Sequence, residues 1–153
     1  MKKREGDPWM SGEDYGKSLR GFGVNLLVQS IEKAVAFQTE VLATEVVYQD
    51  EDIAVLRHLG ADGHAHEWML HADHTFSDHP LLALTGDGAL RGAGIELRLY
   101  DHDPDTAEMR ARERGDHVLA ASADKPHGLR ECCLVDPDGY VWVPARTTGS
   151  IGA

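Results

Sequence analysis

The run His66-Glu67-Trp68-Met69-Leu70-His71 carries the chain's best candidates for acid–base chemistry. Side chains along an extended strand alternate between faces, so Glu67, Met69 and His71 share one side. A histidine beside a carboxylate can act as general base or acid, with a pKa tuned near neutrality. Glu67 and His71 are therefore the candidate catalytic residues. A second run, Glu96-Leu97-Arg98-Leu99-Tyr100, places Glu96, Arg98 and Tyr100 together in the same way. Glu96 and Arg98 fit either a binding surface or a structural ion pair.

Other reactive residue types read as bland. Six of the nine histidines fall at His58, His64, His66, His71, His74 and His79. A His-x-His and a His-x-x-His could take a transition metal, but most of these positions fall in loops, where a solvated or turn-bonding histidine is expected. Cys132 and Cys133 are adjacent in a strand-like run, so their side chains point to opposite faces and no disulfide joins them. A reduced, cytoplasmic setting follows. Cys132 has no partner placed by sequence, which favours a small buried hydrophobe over a nucleophile. The glycine pairs at 86–88 and 92–94 lack the strand–loop–helix setting of a phosphate loop.

Composition narrows the class. A chain of 153 residues suits one compact domain. The net charge of -11 argues against nucleic acid, whose binding is dominated by phosphate neutralisation. The one dense basic patch is Lys2-Lys3-Arg4. No apolar run reaches the roughly 18 residues of a membrane span. The positive start has no apolar stretch after it, so export is not expected.

Residues 1–20 read as an N-terminal arm outside the core. Trp9, Met10 and Tyr15 are too large to be idle there, and docking on the body or on a second subunit is expected. Residues 21–30 read as a strand ending in Ser30, a good cap for a helix with Ile31, Ala34, Val35, Gln38, Val41 and Leu42 on its inner stripe. Strand-like runs follow at Glu45–Gln49, Ile53–Leu59 and His66–Ala72, and residues 73–93 break the periodicity as a connector. The order then repeats. Residues 94–100 form a strand, and Asp103 caps a helix over 104–114 with Pro104 first and Gly115 just past its end. Strands near 116–122, 129–135 and 140–145 complete the set. The chain reads as β-α-β-β-β written twice, module one at 21–72 and module two at 94–145, with a tail at 146–153.

Asp136-Pro137-Asp138-Gly139 lies between two strand-like runs and has the composition of a tight hairpin turn. An arginine (Arg130), this turn and the aromatic strand Tyr140-Val141-Trp142-Val143 resemble the last hairpin of the vicinal oxygen chelate superfamily, which includes glyoxalase I, extradiol dioxygenases and bleomycin-resistance proteins. The tandem module is that superfamily's architecture. The resemblance implies an α+β fold: two βαβββ modules forming a curved open-barrel sheet, helices on the convex side and a small-molecule cavity on the concave side.

The resemblance also implies divalent-metal ligands on the first and fourth strands of each module. Carried over, those positions fall at Gly23, Gly94, Val143 and either Met69 or Glu67. Two glycines and a valine supply no side-chain ligands, so no metal is expected; Asn25 and Glu96 are the residual candidates. Strand alternation nominates a ligand-binding set of Asn25, Glu67, Met69, His71, Glu96, Arg98, Tyr100, Arg130, Cys132 and Val143. The implied function is a metal-free small-molecule-binding protein, a homodimer like bleomycin-resistance relatives. The alternative is a lyase, isomerase or dioxygenase of the superfamily with a displaced divalent-metal site.

Overall fold

The computed structural model describes residues 9–75, 79–86, 88–149 and 151; Lys2-Lys3-Arg4 lies outside them. A short helix, α1 (Gly12–Ser18), comes first, within the arm. Module one follows as β1 (Asn25–Val28), α2 (Ile31–Glu40), β2 (Glu45–Gln49), β3 (Ile53–Leu59) and β4 (Ala65–Ala72). Module two repeats the order as β5 (Glu96–Leu99), α3 (Pro104–Arg114), β6 (His117–Asp124), β7 (Leu129–Val135) and β8 (Val141–Thr147). Each module forms its own four-stranded sheet, ordered β1-β4-β3-β2 and β5-β8-β7-β6. The outer pairs β1–β4 and β5–β8 are parallel and the rest antiparallel. The two sheets do not close into a barrel.

Local chemistry accounts for the elements. The Ser30 hydroxyl accepts from the Lys33 N–H at 3.3 Å and opens α2. The Asp103 carboxylate accepts from Thr106 N at 3.2 Å, and Gly115 ends α3 in the left-handed conformation at φ 80°. One apolar core runs through both modules. It joins Leu26, Val28, Leu56 and Leu70 of the first sheet to α2, and continues into Leu99, Leu134 and Trp142 of the second.

The arm docks on the body. The Trp9 ring lies 5.4 Å from Tyr15 and 5.6 Å from Tyr48 between centroids. Tyr15 packs on a smaller cluster of Val47, Tyr48 and Val55, with Ile53 and Met69 beside it. Val55 and Met69 are cross-strand partners, one residue out of phase with Leu56 and Trp68. The arm therefore covers the face of the first sheet opposite α2.

The connector is not loose where it meets the second module. Arg91, with its side chain 3% exposed, donates to both Asp73 carboxylate oxygens at 2.7 Å and to the Leu27 carbonyl at 3.1 Å. Gly92 follows, pressed against the last hairpin: a Cβ there would lie 2.6 Å from Tyr140 Cα, a backbone atom that cannot swing away. Gly92→Ala should therefore lower stability by roughly 1–3 kcal/mol in denaturant unfolding. Gly23→Ala, where an added Cβ meets nothing within 4 Å, should leave the midpoint unchanged.

Candidate functional site

A cleft of about 1020 Å³ opens between the modules. Its depth is apolar: Trp68 of β4 and Trp142 of β8 stand 5.5 Å apart between ring centroids, with Leu97 and Leu99 of β5 beside them. Trp142 is fixed by the last turn, because its indole N–H donates to Asp136 Oδ2 at 3.0 Å. Phe22 and Tyr100 stand at the mouth, 92% and 52% exposed.

The polar walls come from both sheets. Glu67 and Met69 of β4 line the cleft together with Glu96, Arg98 and Tyr100. Arg98 is spoken for: its guanidinium donates to Glu96 at 2.9 Å, to the Tyr100 hydroxyl at 3.2 Å and to Glu131 in a close pair. Burial alone would lower the Arg98 pKa, but its bonds to Glu131, Glu96 and Tyr100 overcome this and raise it. Burial likewise works to raise Glu131, and the Arg98 bond reverses it to a net lowering.

Glu67 and His71 do not form the catalytic pair that their shared face suggested. A strand rises about 3.3 Å per residue, so positions four apart are about 13 Å apart. Directly across the ladder, Arg57 faces Glu67 and donates to its Oε1 at 2.7 and 3.0 Å. His71 Nδ1 instead donates to Asn25 Oδ1 at 2.6 Å. Burial, then the nearby His79, lowers the His71 pKa. Neither His71 nor Asn25 lines the cleft.

The last hairpin corrects two further expectations. Arg130 and Cys132 do not share the face of Val143. Asp136 N donates to Tyr140 O, which leaves three residues between the paired ends, with Gly139 at φ 91°. Residues of like parity thus oppose one another, as in Val135 with Val141 and Glu131 with Ala145. Glu131 and Cys133 take the Val143 side. Arg130 turns to α3 and donates to Asp105 at 2.7 Å, and the Cys132 thiol, 3.5 Å from the Pro104 carbonyl, is pushed up to about 12 by burial. Val143 is fully buried and does not line the cleft.

Most of the histidine-rich segment is engaged in single hydrogen bonds, while His66 lines the cleft. His64 bonds Asp62, His74 bonds Asp52, His79 accepts from Leu81 N, and His58 reaches the Tyr100 carbonyl.

No protein-family model matches this sequence, and no curated protein matches it. Solved structures do. A glyoxalase-related enzyme from Fulvimarina pelagi superposes with a TM-score of 0.62 at 17% identity, over 88% of this chain and 96% of its own. A glyoxalase/bleomycin resistance protein/dioxygenase from Nocardioides gives 0.58 at 21% identity, over 92% and 97%. TioX from Micromonospora sp. ML1 gives 0.57 at 18%, over 86% and 99%. The chain has the vicinal oxygen chelate fold.

Among the described residues, the divalent metal associated with this glyoxalase-type fold finds no donor set. Ligands to one ion must converge within roughly 2.0–2.3 Å of it. The observed register sets Val143 beside Arg98, not beside Gly94, and Asn25 beside Met69. A guanidinium thus stands where a donor is required, and the carboxylates Glu67, Glu96 and Glu131 are all engaged by arginines. Among the described residues no three histidine, cysteine, aspartate or glutamate side chains form a metal-binding group.

Sequence reasoning missed the aromatic depth. Alternation assigned one strand face to the cavity, yet Trp68 and Trp142 belong to the core-facing set and still line the cleft. Asp136, which holds Trp142, has its carboxyl pushed up to about 6 by burial. A carboxyl whose folded-state pKa lies above its unfolded value of about 4 holds its proton more tightly when folded, so its contribution falls as pH rises from about 4 to about 6. Asp136→Asn does not titrate. Its stability relative to wild type should therefore improve across that window in parallel urea titrations, even though the amide forfeits one acceptor oxygen.

Proposed function

We propose that this chain is a small-molecule-binding protein of the glyoxalase/bleomycin-resistance type, working without a metal ion. The observation that carries this reading is the cleft itself. It has the size and apolar depth of a site for a small organic molecule, with polar walls that can orient one. The positions where a metal would be held offer glycine, valine and arginine-engaged carboxylates. The structural neighbours described as glyoxalase-related and as glyoxalase/bleomycin resistance/dioxygenase proteins are consistent with this reading.

A thermal-shift screen of small organic molecules tests the reading. A ligand found in this way should bind Tyr100→Ala about 1 kcal/mol more weakly, the scale of a lost aromatic contact. Arg130→Ala, on the α3 side, should leave its affinity unchanged. Protein purified without chelator should carry well under one equivalent of divalent metal by elemental analysis. The opposite mutational pattern, or stoichiometric metal lost in Glu96→Gln, would remove the reading.

Pairing of two copies belongs to the same proposal. Each sheet ends in two edge strands, β1 and β2 in one and β5 and β6 in the other, and unpaired edges favour association. Light scattering on the full chain should give the mass of a dimer; a monomer at micromolar concentration counts against it.

A further inference from the structure

We propose that the arm is the gate of the cleft: docked, it walls one side, and its undocking, with the two sheets staying together, admits a ligand. This rests on the cleft being the binding site.

The arm is placed for such a role. Tyr15, Leu19 and Arg20 line the cleft, and Gly21, Phe22 and Gly23 continue the lining towards β1. The surface beneath the arm is continuous with the cleft. Val55 is 1% exposed in the cluster on which Tyr15 packs, and its cross-strand partner Met69 lines the cleft. Lifting Tyr15 therefore uncovers Val55 and widens the cleft in one movement.

The arm is also held lightly. Among the described residues, the polar bonds of residues 11–20 stay within the arm. Ser11 accepts from Asp14 N at 3.0 Å, Lys17 pairs with Glu13, and Arg20 donates to the Lys17 and Leu19 carbonyls. Its hold on the body is apolar, through Trp9 against Tyr48 and Tyr15 against the Val47, Tyr48 and Val55 cluster. No residue of α1 is buried, and Trp9 is 40% exposed. A helix of seven residues is not stable alone in water, so α1 depends on this docking. The modules are joined differently. They share one apolar core, and Tyr140 and Asp138 of the last turn bond Leu27 O and Gln29 N at 2.9 and 2.8 Å. Elements with few buried contacts open first, without global unfolding. The joint between arm and body is suited to this, because Gly21 and Gly23 carry no side chain and an added Cβ would meet nothing within 4 Å.

Thiol labelling of the full-length protein tests the gate without a ligand. Three thiols are read by mass spectrometry in a Cys133→Ser background: Val55→Cys beneath the arm, Leu97→Cys on the cleft wall, and native Cys132. Cys132, 1% exposed against α3, reports opening of the whole fold. Each rate is compared with its own value in Trp9→Ala, so differences in thiol reactivity cancel. Trp9→Ala should speed iodoacetamide labelling of Val55→Cys about three- to tenfold, the factor one aromatic contact is worth. It should speed labelling of Leu97→Cys by the bulky 5-iodoacetamidofluorescein to a similar extent, and leave Cys132 unchanged. Trp9→Phe, which keeps a ring against Tyr48, should restore most of both effects. An unchanged Val55→Cys rate, or an equal rise at Cys132, makes the arm a fixed part of the fold and overturns the proposal. A faster Val55→Cys with an unchanged Leu97→Cys shows an arm that moves without gating, and overturns it as well. Neither result bears on the cleft as a binding site, which the small-molecule screen decides separately.

Discussion

The Asp136 carboxylate is the group on which the two modules jointly depend. Its Oδ1 accepts the N–H groups of Asp138 and Tyr140, and its Oδ2 accepts the Trp142 indole. The turn so formed projects Tyr140, whose hydroxyl donates to the Leu27 carbonyl of β1, and Asp138, which accepts from Gln29 N. Arg91 of the connector reaches the same Leu27 carbonyl. One turn thereby binds the last hairpin to the first strand, to the connector and to the aromatic depth of the cleft. Burying a carboxyl is costly, and three donors converging on it offset that cost. Burial raises the Asp136 carboxyl, the nearby Asp138 charge adds to this, and the three donors offset it only in part.

Charge in the cleft is organised locally. The chain carries a net charge of -11, yet the groups around β5 are arranged in closed pairs, with Arg98 between Glu96 and Glu131 and Arg57 on Glu67. A guanidinium saturated by two carboxylates and a phenol is a rigid wall more than a free hook for an anion. Such a wall also stands where the fold would otherwise gather metal donors. Recognition in this cleft then falls to its rings and to the polar atoms not already committed.

The arm shows how one sheet face is put to use. Trp9 and Tyr15 cover the side of module one that carries Val55 and Met69, while α2 covers the other. Met69 belongs both to this cluster and to the cleft lining, so the arm and the cleft share a wall.

By itself, the sequence determined the order of elements within the two modules, though not the helix α1 of the arm, because local rules suffice for that. Ser30 and Asp103 cap helices, Gly115 ends one, and Glu45–Gln49, Ile53–Leu59 and Leu129–Val135 run as strands between turn residues. Alternation also grouped Glu67 with Met69, and Glu96 with Arg98 and Tyr100, since faces follow from a period of two. Tertiary structure alone decided the rest. Whether Arg130 or Glu131 meets Arg98 hangs on one residue in a hairpin turn, and composition does not count that residue. Whether Glu67 meets His71 or Arg57 depends on which strand lies alongside, a contact ten residues away in the chain. The pairing of Trp68 with Trp142, which makes the cleft aromatic, brings together residues from different modules. No local pattern encodes a distance across that gap; it is set by how the two sheets pack.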